Sequence, residues 1–244
     1  MSWTERQRLM LREMGLQVWS PAAEEAPLAA PVPPPAVAVP APTVQPQRQA
    51  VTGPVATMDW DTLRVTVAGC QACTLCSSRR NTVFGVGNPN AHWMIVGEAP
   101  GEQEDLKGEP FVGPAGQLLD NMLRALQLTR SEAEPERQVF IANTLKCRPP
   151  RNRNPEPAEL AQCEPYLMRQ IELVQPKIIL AMGRFAVQSL LRSSEPIGRL
   201  RGRVHQYQGV PLVVTYHPAY LLRNPEEKAK AWDDLCLAVA AAAR

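Results

Sequence analysis

The stretch WMIVGEAPGEQED, residues 93–105, joins a buried strand to an acidic loop. Residues 93–98 form a near-continuous apolar run, which is typical of a strand covered on both faces of its sheet. The carboxylates of Glu98, Glu104 and Asp105 stand at and beyond the end of that run. Ligands of open α/β sheets bind outside the carboxyl ends of the strands. This stretch therefore predicts both the fold class and the edge of the sheet where the chemistry takes place.

Three further apolar runs repeat this pattern and alternate with amphipathic segments. The predicted strands cover residues 93–98, 139–144, 177–183 and 210–217. The predicted helices cover about residues 115–128, 157–173, 184–192 and 226–242. Such an alternation predicts parallel strands joined by right-handed crossovers in one three-layer α/β domain.

The residues before this domain have a different composition. Residues 21–54 contain ten prolines and no aromatic residue. Such a segment cannot bury enough surface to offset its ordering entropy. We therefore expect a short docking peptide or helix at residues 1–20, a disordered Pro/Ala-rich linker at residues 21–56 and a catalytic domain at residues 57–244.

From composition and charge we expect neither a membrane protein nor a secreted one. The formal net charge is +2 and 45% of the residues are hydrophobic, but no apolar run approaches the roughly 20 residues of a membrane span. The N-terminus is charged and lacks the apolar core of a secretory signal. We expect a cytoplasmic monomer whose cysteines stay reduced and serve as ligands, core residues or nucleophiles.

Polar residues follow the predicted strands. Glu98, Glu104 and Asp105 follow the first strand, Asn143 lies at the end of the second, and His217 lies at the end of the fourth. The carboxyl ends of parallel strands meet at one edge of a sheet. We therefore expect these side chains to line one pocket.

Five of the six cysteines fall in two short segments. Cys70, Cys73 and Cys76 follow one another at intervals of three, and Cys147 and Cys163 lie in KCRPPRNRNPEPAELAQC, residues 146–163. Four thiolates can bind zinc or an iron–sulfur cluster, and spacing alone does not separate the two. Either CxxC pair of the first segment fits such a site. The alternative is that Cys147 and Cys163 are ordinary buried residues.

Four long motifs resemble those of the family 4 uracil-DNA glycosylases, the iron–sulfur branch of that superfamily. They are GEAPGEQED, GEPFVGPAGQLLDNML, IANTLKCRPPRNRNPEPAE and YHPAYLLRNP, and the similarity extends over residues 67–235. The resemblance implies a four-stranded parallel sheet sandwiched by helices, and a [4Fe-4S] cluster with a structural role. It also implies that Cys70, Cys73, Cys147 and Cys163 bind the cluster and that Cys76 is spare. Zinc is the alternative occupant.

A DNA glycosylase takes its target base out of the duplex and holds it in a closed pocket. The resemblance implies that Phe111 is the platform on which the base stacks. The amide of Asn143 can donate to uracil O4 and accept from N3–H, a pattern that cytosine reverses. Gly97 and Ala99 complete the predicted substrate-binding residues. The alternatives are a core role for Phe111 and a turn or cap role for Asn143.

Cleavage of the glycosidic bond leaves a uracil anion. His217 is placed to donate a hydrogen bond to the charge on uracil O2, and a carboxylate is the natural group to activate water. The best-known branch of the superfamily uses an Asp for this step at the position of Ala99, so we nominate Glu104 first and Glu98 second. Gly101 replaces the Tyr that excludes thymine in that branch, which leaves the basis of thymine exclusion open.

Basic and apolar residues near these motifs are candidates for DNA contacts. Arginines beside the second cysteine segment and before the fourth strand are predicted to contact phosphates. Residues directly after the HPA motif are predicted to fill the vacated base stack. The alternative for the arginines is a solvated basic surface. The predicted DNA-binding residues are Arg151, Arg153, Arg201, Tyr220, Leu221 and Leu222.

Residues 3–19 suggest a second hypothesis. The stretch RQRLMLREMGLQVWSP, residues 6–21, carries the pattern, and it resembles the N-terminal peptide by which the psi subunit of the bacterial clamp loader docks onto the chi subunit. A hydrophobic peptide on a long tether raises the effective concentration of an enzyme at its partner. The alternative function is therefore a replisome accessory that tethers a glycosylase-like domain to the DNA polymerase III holoenzyme through chi.

Overall fold

The computed structural model describes residues 53–243. The predicted docking segment at residues 3–19 and most of the predicted linker lie outside this range. Within the described residues the chain forms one sheet with helices on both faces.

Eight α-helices lie within residues 53–243. They are α1 (Trp60–Ala68), α2 (Glu102–Lys107), α3 (Pro114–Ala125), α4 (Pro157–Val174), α5 (Arg184–Leu191), α6 (Ile197–Leu200), α7 (Pro218–Arg223) and α8 (Lys228–Ala242). The four predicted helices correspond to α3, α4, α5 and α8 within a few residues. Helix α1 begins at an Asp59 side chain that accepts a hydrogen bond from Thr62 N at 2.8 Å, a regular N-cap.

Six strands form one mixed sheet in the order β1-β3-β2-β4-β6-β5. They are β1 (Val86–Gly87), β2 (Trp93–Gly97), β3 (Val139–Asn143), β4 (Ile178–Met182), β5 (Val204–Tyr207) and β6 (Val210–Thr215). The four central strands are parallel, and they are the four predicted strands. Strands β1 and β5 are antiparallel to their neighbours at the two edges.

The prediction of a four-stranded parallel sheet was therefore wrong in the number of strands. The sequence of β1 contains only two residues, too few to form an apolar run. Strand β5 reads VHQY and is partly exposed along its length, because an edge strand is not covered on both faces. Neither edge strand carries the continuous apolar signal of the buried parallel strands.

The side chains of the central strands alternate between two cores. One core lies between the sheet and α1, α4 and α5; the other lies between the sheet and α3 and α8. In β2, for example, Met94 and Val96 face the first core, and Trp93 and Ile95 face the second. The predicted three-layer arrangement is confirmed. Among residues 53–243, no helix is both long enough and apolar enough to cross a membrane.

Candidate active site and cysteine cavity

The ends of β2 and β3 bring the first two candidate residues together. Gly97 and Asn143 are register partners in adjacent parallel strands. A Cβ atom on Gly97 would lie 2.4 Å from Asn143 Oδ1 and 2.6 Å from Phe111 Cζ. A side chain therefore cannot fit at Gly97, because Phe111 and Asn143 both approach its backbone at this point.

Phe111 is held in an uncommon backbone conformation. It is 5% exposed and has φ 56°, a left-handed value that costs energy for a bulky residue. Its carbonyl oxygen packs against Gly116, where a Cβ would lie at 1.7 Å. One residue earlier, the carbonyl of Pro110 accepts a hydrogen bond from Arg130 Nη1 at 2.9 Å. The ring position is thus fixed by the backbone on both sides.

The side-chain oxygen of Asn143 lacks a partner. Asn143 is 2% exposed, and Oδ1 is buried with no hydrogen bond within the described residues. Buried acceptors are almost always satisfied in folded proteins. An unpaired acceptor beside the Phe111 ring is therefore suited to receive an N–H group from a ligand.

His217 faces Phe111 from the end of β6. The two rings stack with centroids 5.4 Å apart at an interplanar angle of 28°. His217 Nδ1 accepts a hydrogen bond from Ala219 N at 3.2 Å, so the proton of the neutral ring resides on Nε2. Burial, and then the positive charge of Arg223, lower the pKa of His217 to about 4. The ring is neutral at physiological pH and can donate from Nε2.

The Glu104 carboxylate is bound by the main chain. Oε1 accepts from Val112 N at 2.9 Å and from Gly113 N at 3.1 Å, and Oε2 accepts from Gly101 N at 3.1 Å. Glu104 thereby joins the start of α2 to the segment that follows Phe111.

The Glu98 carboxylate has a different environment. Glu98 is half-buried, and no residue in the described range hydrogen-bonds to its side-chain oxygens. Burial raises the pKa of Glu98, and Arg184 partly opposes this rise. Of the two carboxylates nominated to activate water, Glu98 is the one with free acceptor oxygens.

Asp105 and Ala99 contact residues that are not part of the predicted pocket. Asp105 is 3% exposed, and its Oδ1 accepts from Arg80 N at 2.9 Å and from Asn81 N at 3.3 Å. Ala99 packs against the core that contains α1, α4 and α5. The structure thus brings Gly97, Phe111, Asn143 and His217 together, while Asp105 holds the loop at Arg80.

The three arginines predicted to contact DNA differ in their partners. Arg151 is exposed. Arg153 makes a bidentate ion pair with Glu159, at 2.6 and 2.9 Å, and Arg201 Nε pairs with the buried Asp234 at 3.0 Å. Of the three, Arg151 has the side chain most free to reach a phosphate.

The three residues after the HPA motif also differ. Tyr220 is 37% exposed and Leu222 is 44% exposed, but Leu221 is 1% exposed. Leu221 therefore belongs to the packing of α7, and its two neighbours reach solvent.

One cavity brings the cysteines of both segments together. Its lining includes Cys70, Cys73, Cys76, Cys147 and Cys163. The pKa of the Cys147 thiol is raised first by burial, and Cys73 and Cys70 contribute further to the rise, while Cys76 does not. Cys76 lines the same cavity, and its exposure is intermediate, like that of Cys70 and Cys73.

Hydrogen-bond donors surround these sulfur atoms. Arg79 Nη1 donates to Cys147 Sγ at 3.1 Å, Tyr166 Oη donates to Cys70 Sγ at 3.3 Å, and the backbone N–H of Lys146 donates to Cys163 Sγ at 3.3 Å. Such donors stabilise metal-bound thiolates and tune clusters. The donor set therefore fits a four-thiolate centre.

The number of thiols in the cavity matches two kinds of centre. Four cysteine thiolates hold a [4Fe-4S] cluster, and four also complete the tetrahedral shell of a structural zinc ion. Among residues 53–243, no three side chains of His, Cys, Asp or Glu are already arranged around one metal-ion position.

Sequence reasoning missed Arg130 and Asp120. Arg130 Nε donates to Asp120 Oδ1 at 2.6 Å while its Nη1 holds Pro110. Both residues lie in or after an amphipathic helix, where a charged side chain is normally solvated. No sequence signal distinguishes them from surface charges.

Known proteins match this chain over the same region. Residues 84–236 match the family model of the Uracil DNA glycosylase superfamily. A type-4 uracil-DNA glycosylase of Archaeoglobus fulgidus is 43% identical over 168 residues, which are 66% of this chain and 81% of the relative. That of Pyrobaculum aerophilum is 40% identical over 190 residues, 74% of this chain and 93% of the relative. That of Thermotoga maritima is 42% identical over 160 residues, 65% of this chain and 80% of the relative.

The fold and the site define an α/β protein in which a buried aromatic ring, Phe111, and an unpaired amide oxygen, that of Asn143, meet at the carboxyl edge of the parallel strands. The chain belongs to the uracil DNA glycosylase superfamily, and its relatives place it with the type-4 members.

Proposed function

We infer that this chain removes uracil from DNA by hydrolysing the N-glycosidic bond, which leaves an abasic site. Beside its family membership, the single observation that best supports this activity is the unpaired, buried Oδ1 of Asn143 next to Phe111. Uracil presents an N3–H donor to such an acceptor, whereas cytosine presents a second acceptor. A site that leaves a buried polar group unpaired with the wrong base rejects that base strongly.

In the proposed complex the flipped base stacks on Phe111 and its N3–H donates to Asn143 Oδ1. His217 then donates from Nε2 to uracil O2, where negative charge gathers as the bond breaks. A neutral donor suits this role because its lowered pKa keeps it from taking up a proton. Gly97 leaves room for the base, because a side chain at this position would lie against both Asn143 and Phe111.

Water activation is proposed for a carboxylate of the GEAPGEQED motif. The three backbone donors to Glu104 favour a positioning role for that residue, in which it holds the segment after Phe111. The free oxygens and raised pKa of Glu98 favour it as the general base. The Glu98→Gln and Glu104→Gln variants separate the two roles.

We propose that Cys70, Cys73, Cys147 and Cys163 hold a [4Fe-4S] cluster. The shared cavity and the N–H and O–H donors to sulfur support a four-thiolate centre, and the similarity to the iron–sulfur branch of the superfamily favours a cluster over zinc. When bound, the cluster would cross-link the chain segments on either side of β2 and β3. Cys76 is not included in this ligand set.

We propose that DNA lies against the carboxyl edge of the sheet. Its phosphates would meet the exposed Arg151, and Tyr220 and Leu222 are the exposed candidates for the vacated stack. The ion pairs of Arg153 and Arg201 favour a scaffolding contribution from those two arginines.

Oligonucleotides that contain either uracil or thymine at one position test the activity, with alkaline cleavage as the readout. We expect strand breakage at uracil alone. Asn143→Ala should slow single-turnover excision by on the order of a hundredfold, and Asn121→Ala, at an exposed asparagine of α3, serves as the matched control. Cleavage at neither base by the intact, metal-loaded protein would refute the assignment.

We also propose that residues 3–19 dock onto the chi subunit, a proposal that rests on the sequence pattern alone. Deletion of residues 1–55 should leave uracil excision on naked oligonucleotides unchanged and should abolish chi binding in a calorimetric titration. If the intact chain does not bind chi, the resemblance of this segment is a coincidence.

A further inference from the structure

Lys146 lines the cysteine cavity and also reaches Asn143 at the end of β3. Its backbone N–H donates to Cys163 Sγ at 3.3 Å, and its Nζ donates to the carbonyl oxygen of Asn143 at 2.8 Å. The residue directly precedes Cys147 and is 1% exposed. The side chain of Lys146 thus contacts the backbone of Asn143, the predicted base-recognition residue. The backbone N–H of Lys146 binds Cys163, a predicted cluster ligand.

The charge of Lys146 has no carboxylate partner within residues 53–243. Its Nζ donates to two neutral oxygens, Asn143 O and Gln170 Oε1, the second at 2.6 Å. A buried ammonium that lacks a countercharge is costly. The groups near it that can carry negative charge are the sulfur atoms of Cys163 and Cys147. Metal-bound thiolates at these positions would supply the missing countercharge.

The far end of Lys146 is rigidly held. Gln170 is fully buried in α4, and its Nε2 donates to Phe84 O at 2.9 Å. The ammonium is therefore fixed from α4 and from the cysteine segment, and it in turn fixes the carbonyl of Asn143 at the end of β3. The direction of the Asn143 side chain follows from that backbone.

We propose that Lys146 is a positioning residue that couples the thiolate centre to uracil recognition. Its charge balances the bound thiolates, and its ammonium sets the backbone of Asn143 so that the amide meets the base. The proposal rests on the proposed function and on the proposed cluster ligands. It gives the metal centre a specific task, which is to keep the recognition amide aligned.

Lys146→Met tests this coupling, because methionine keeps the length of the side chain and removes the charge and the donors. Lys177→Met, at an exposed lysine just before β4, is the matched control. Three quantities are measured: metal content with its rate of loss to a chelator, the affinity for free uracil, and single-turnover excision. Loss of a partner that supports metal ligands typically costs tenfold to a hundredfold in metal affinity or activity, so we expect roughly these factors in all three quantities.

A double-mutant cycle with Asn143→Ala identifies the route of the effect. If Lys146 acts through Asn143, Lys146→Met should reduce excision by less than about threefold in the Asn143→Ala background, and should still speed metal loss there. Equal factors in both backgrounds would overturn the coupling. So would an Lys146→Met protein with normal metal retention and uracil affinity. An inactive wild-type protein would instead refute the proposed function.

If Lys146→Met does not accumulate as folded protein, the wild-type holoprotein provides the test. Its metal is removed by chelator, and free-uracil affinity and circular dichroism are measured before and after. The coupling predicts a fold that is retained and a uracil affinity that falls at least tenfold. Unchanged affinity, or global unfolding on metal loss, would overturn it.

Discussion

Replacing Glu104 by Gln separates a positioning role for this carboxylate from a catalytic one. In the structure, Val112 N and Gly113 N donate to one oxygen and Gly101 N donates to the other. An amide can keep its oxygen toward the first two donors, but its NH₂ group then faces the N–H of Gly101. The variant loses one charge-assisted hydrogen bond and leaves a donor unpaired.

The size of this loss follows from ordinary hydrogen-bond energies. A hydrogen bond to a charged group contributes about 1.5–3 kcal/mol. For a domain of this size the melting temperature falls by about 2–4 °C per kcal/mol, so we expect Glu104→Gln to melt about 3–12 °C below the wild type. Excision should slow because the Phe111 segment is less well held, but its dependence on pH should keep the same shape.

Glu98→Gln should behave in the opposite way. Its carboxylate has no hydrogen bond to lose within the described residues, so the melting temperature should be unchanged. Removal of a general base should slow single-turnover excision by about a hundredfold or more and abolish the acid limb of the pH–rate profile. In the wild type the midpoint of that limb should lie above the pH at which an ordinary glutamate titrates, because burial raises the pKa of Glu98. Glu102→Gln, at an exposed position of helix α2, is the control.

Thermal melts and pH–rate profiles of the three variants decide between the roles. A Glu104→Gln protein that melts with the wild type, excises uracil at least a hundredfold more slowly and lacks the acid limb would refute the positioning argument. The general base would then be Glu104.

Three other perturbations have definite expected outcomes. The pKa of His217 falls from 6.5 in the unfolded state to about 4 in the folded state, so the unfolded state takes up a proton first as the pH falls. The free energy of unfolding should therefore decline more steeply between pH 6.5 and 4 in the wild type than in His217→Gln. Denaturant titrations of both proteins measure this difference. Excision itself should show no step near pH 6.5. Cys163→Ser should abolish visible absorption and iron content, and Cys76→Ser should leave both intact; loss of iron in the second variant would assign the CxxC pair to Cys73 and Cys76. Gly97→Ala should abolish uracil binding in a calorimetric titration, because its Cβ would lie 2.4 Å from Asn143 Oδ1, whereas Gly198→Ala, whose Cβ would meet only Tyr216 Oη at 3.9 Å, should bind as the wild type does.

The central strands could be predicted because burial on both faces requires a continuous run of apolar residues in the sequence. Residues 139–143 are fully buried, and their apolar run is visible without any structure. The edge strands could not be predicted, since half-exposed residues follow no such rule. The same reasoning explains why Gly97 and Asn143 were found: each directly ends a buried run.

The contacts of the charged residues could not be predicted from the sequence. Glu104 and Glu98 are both acids of one motif, but only folding determines that Glu104 meets three backbone donors and Glu98 meets none. Likewise, Leu221 and Leu222 are adjacent and chemically identical, and one is buried and the other exposed. Sequence motifs place a residue at an edge of the sheet, and its individual neighbours depend on packing over many residues.

The two short edge strands also affect how the protein behaves at high concentration. Without them, the sheet would end in β3 and β6. These strands carry apolar side chains, and their unpaired backbone N–H and C=O groups would be open to strands of other chains. Strand β1 covers one of these with only two residues, and β5 covers the other with a partly exposed strand that begins directly after Arg203. Short edges and flanking charges resist the addition of a foreign strand. The sheet is therefore protected against edge-to-edge aggregation. This protection helps the protein to remain unaggregated when other protein molecules crowd the same DNA molecule.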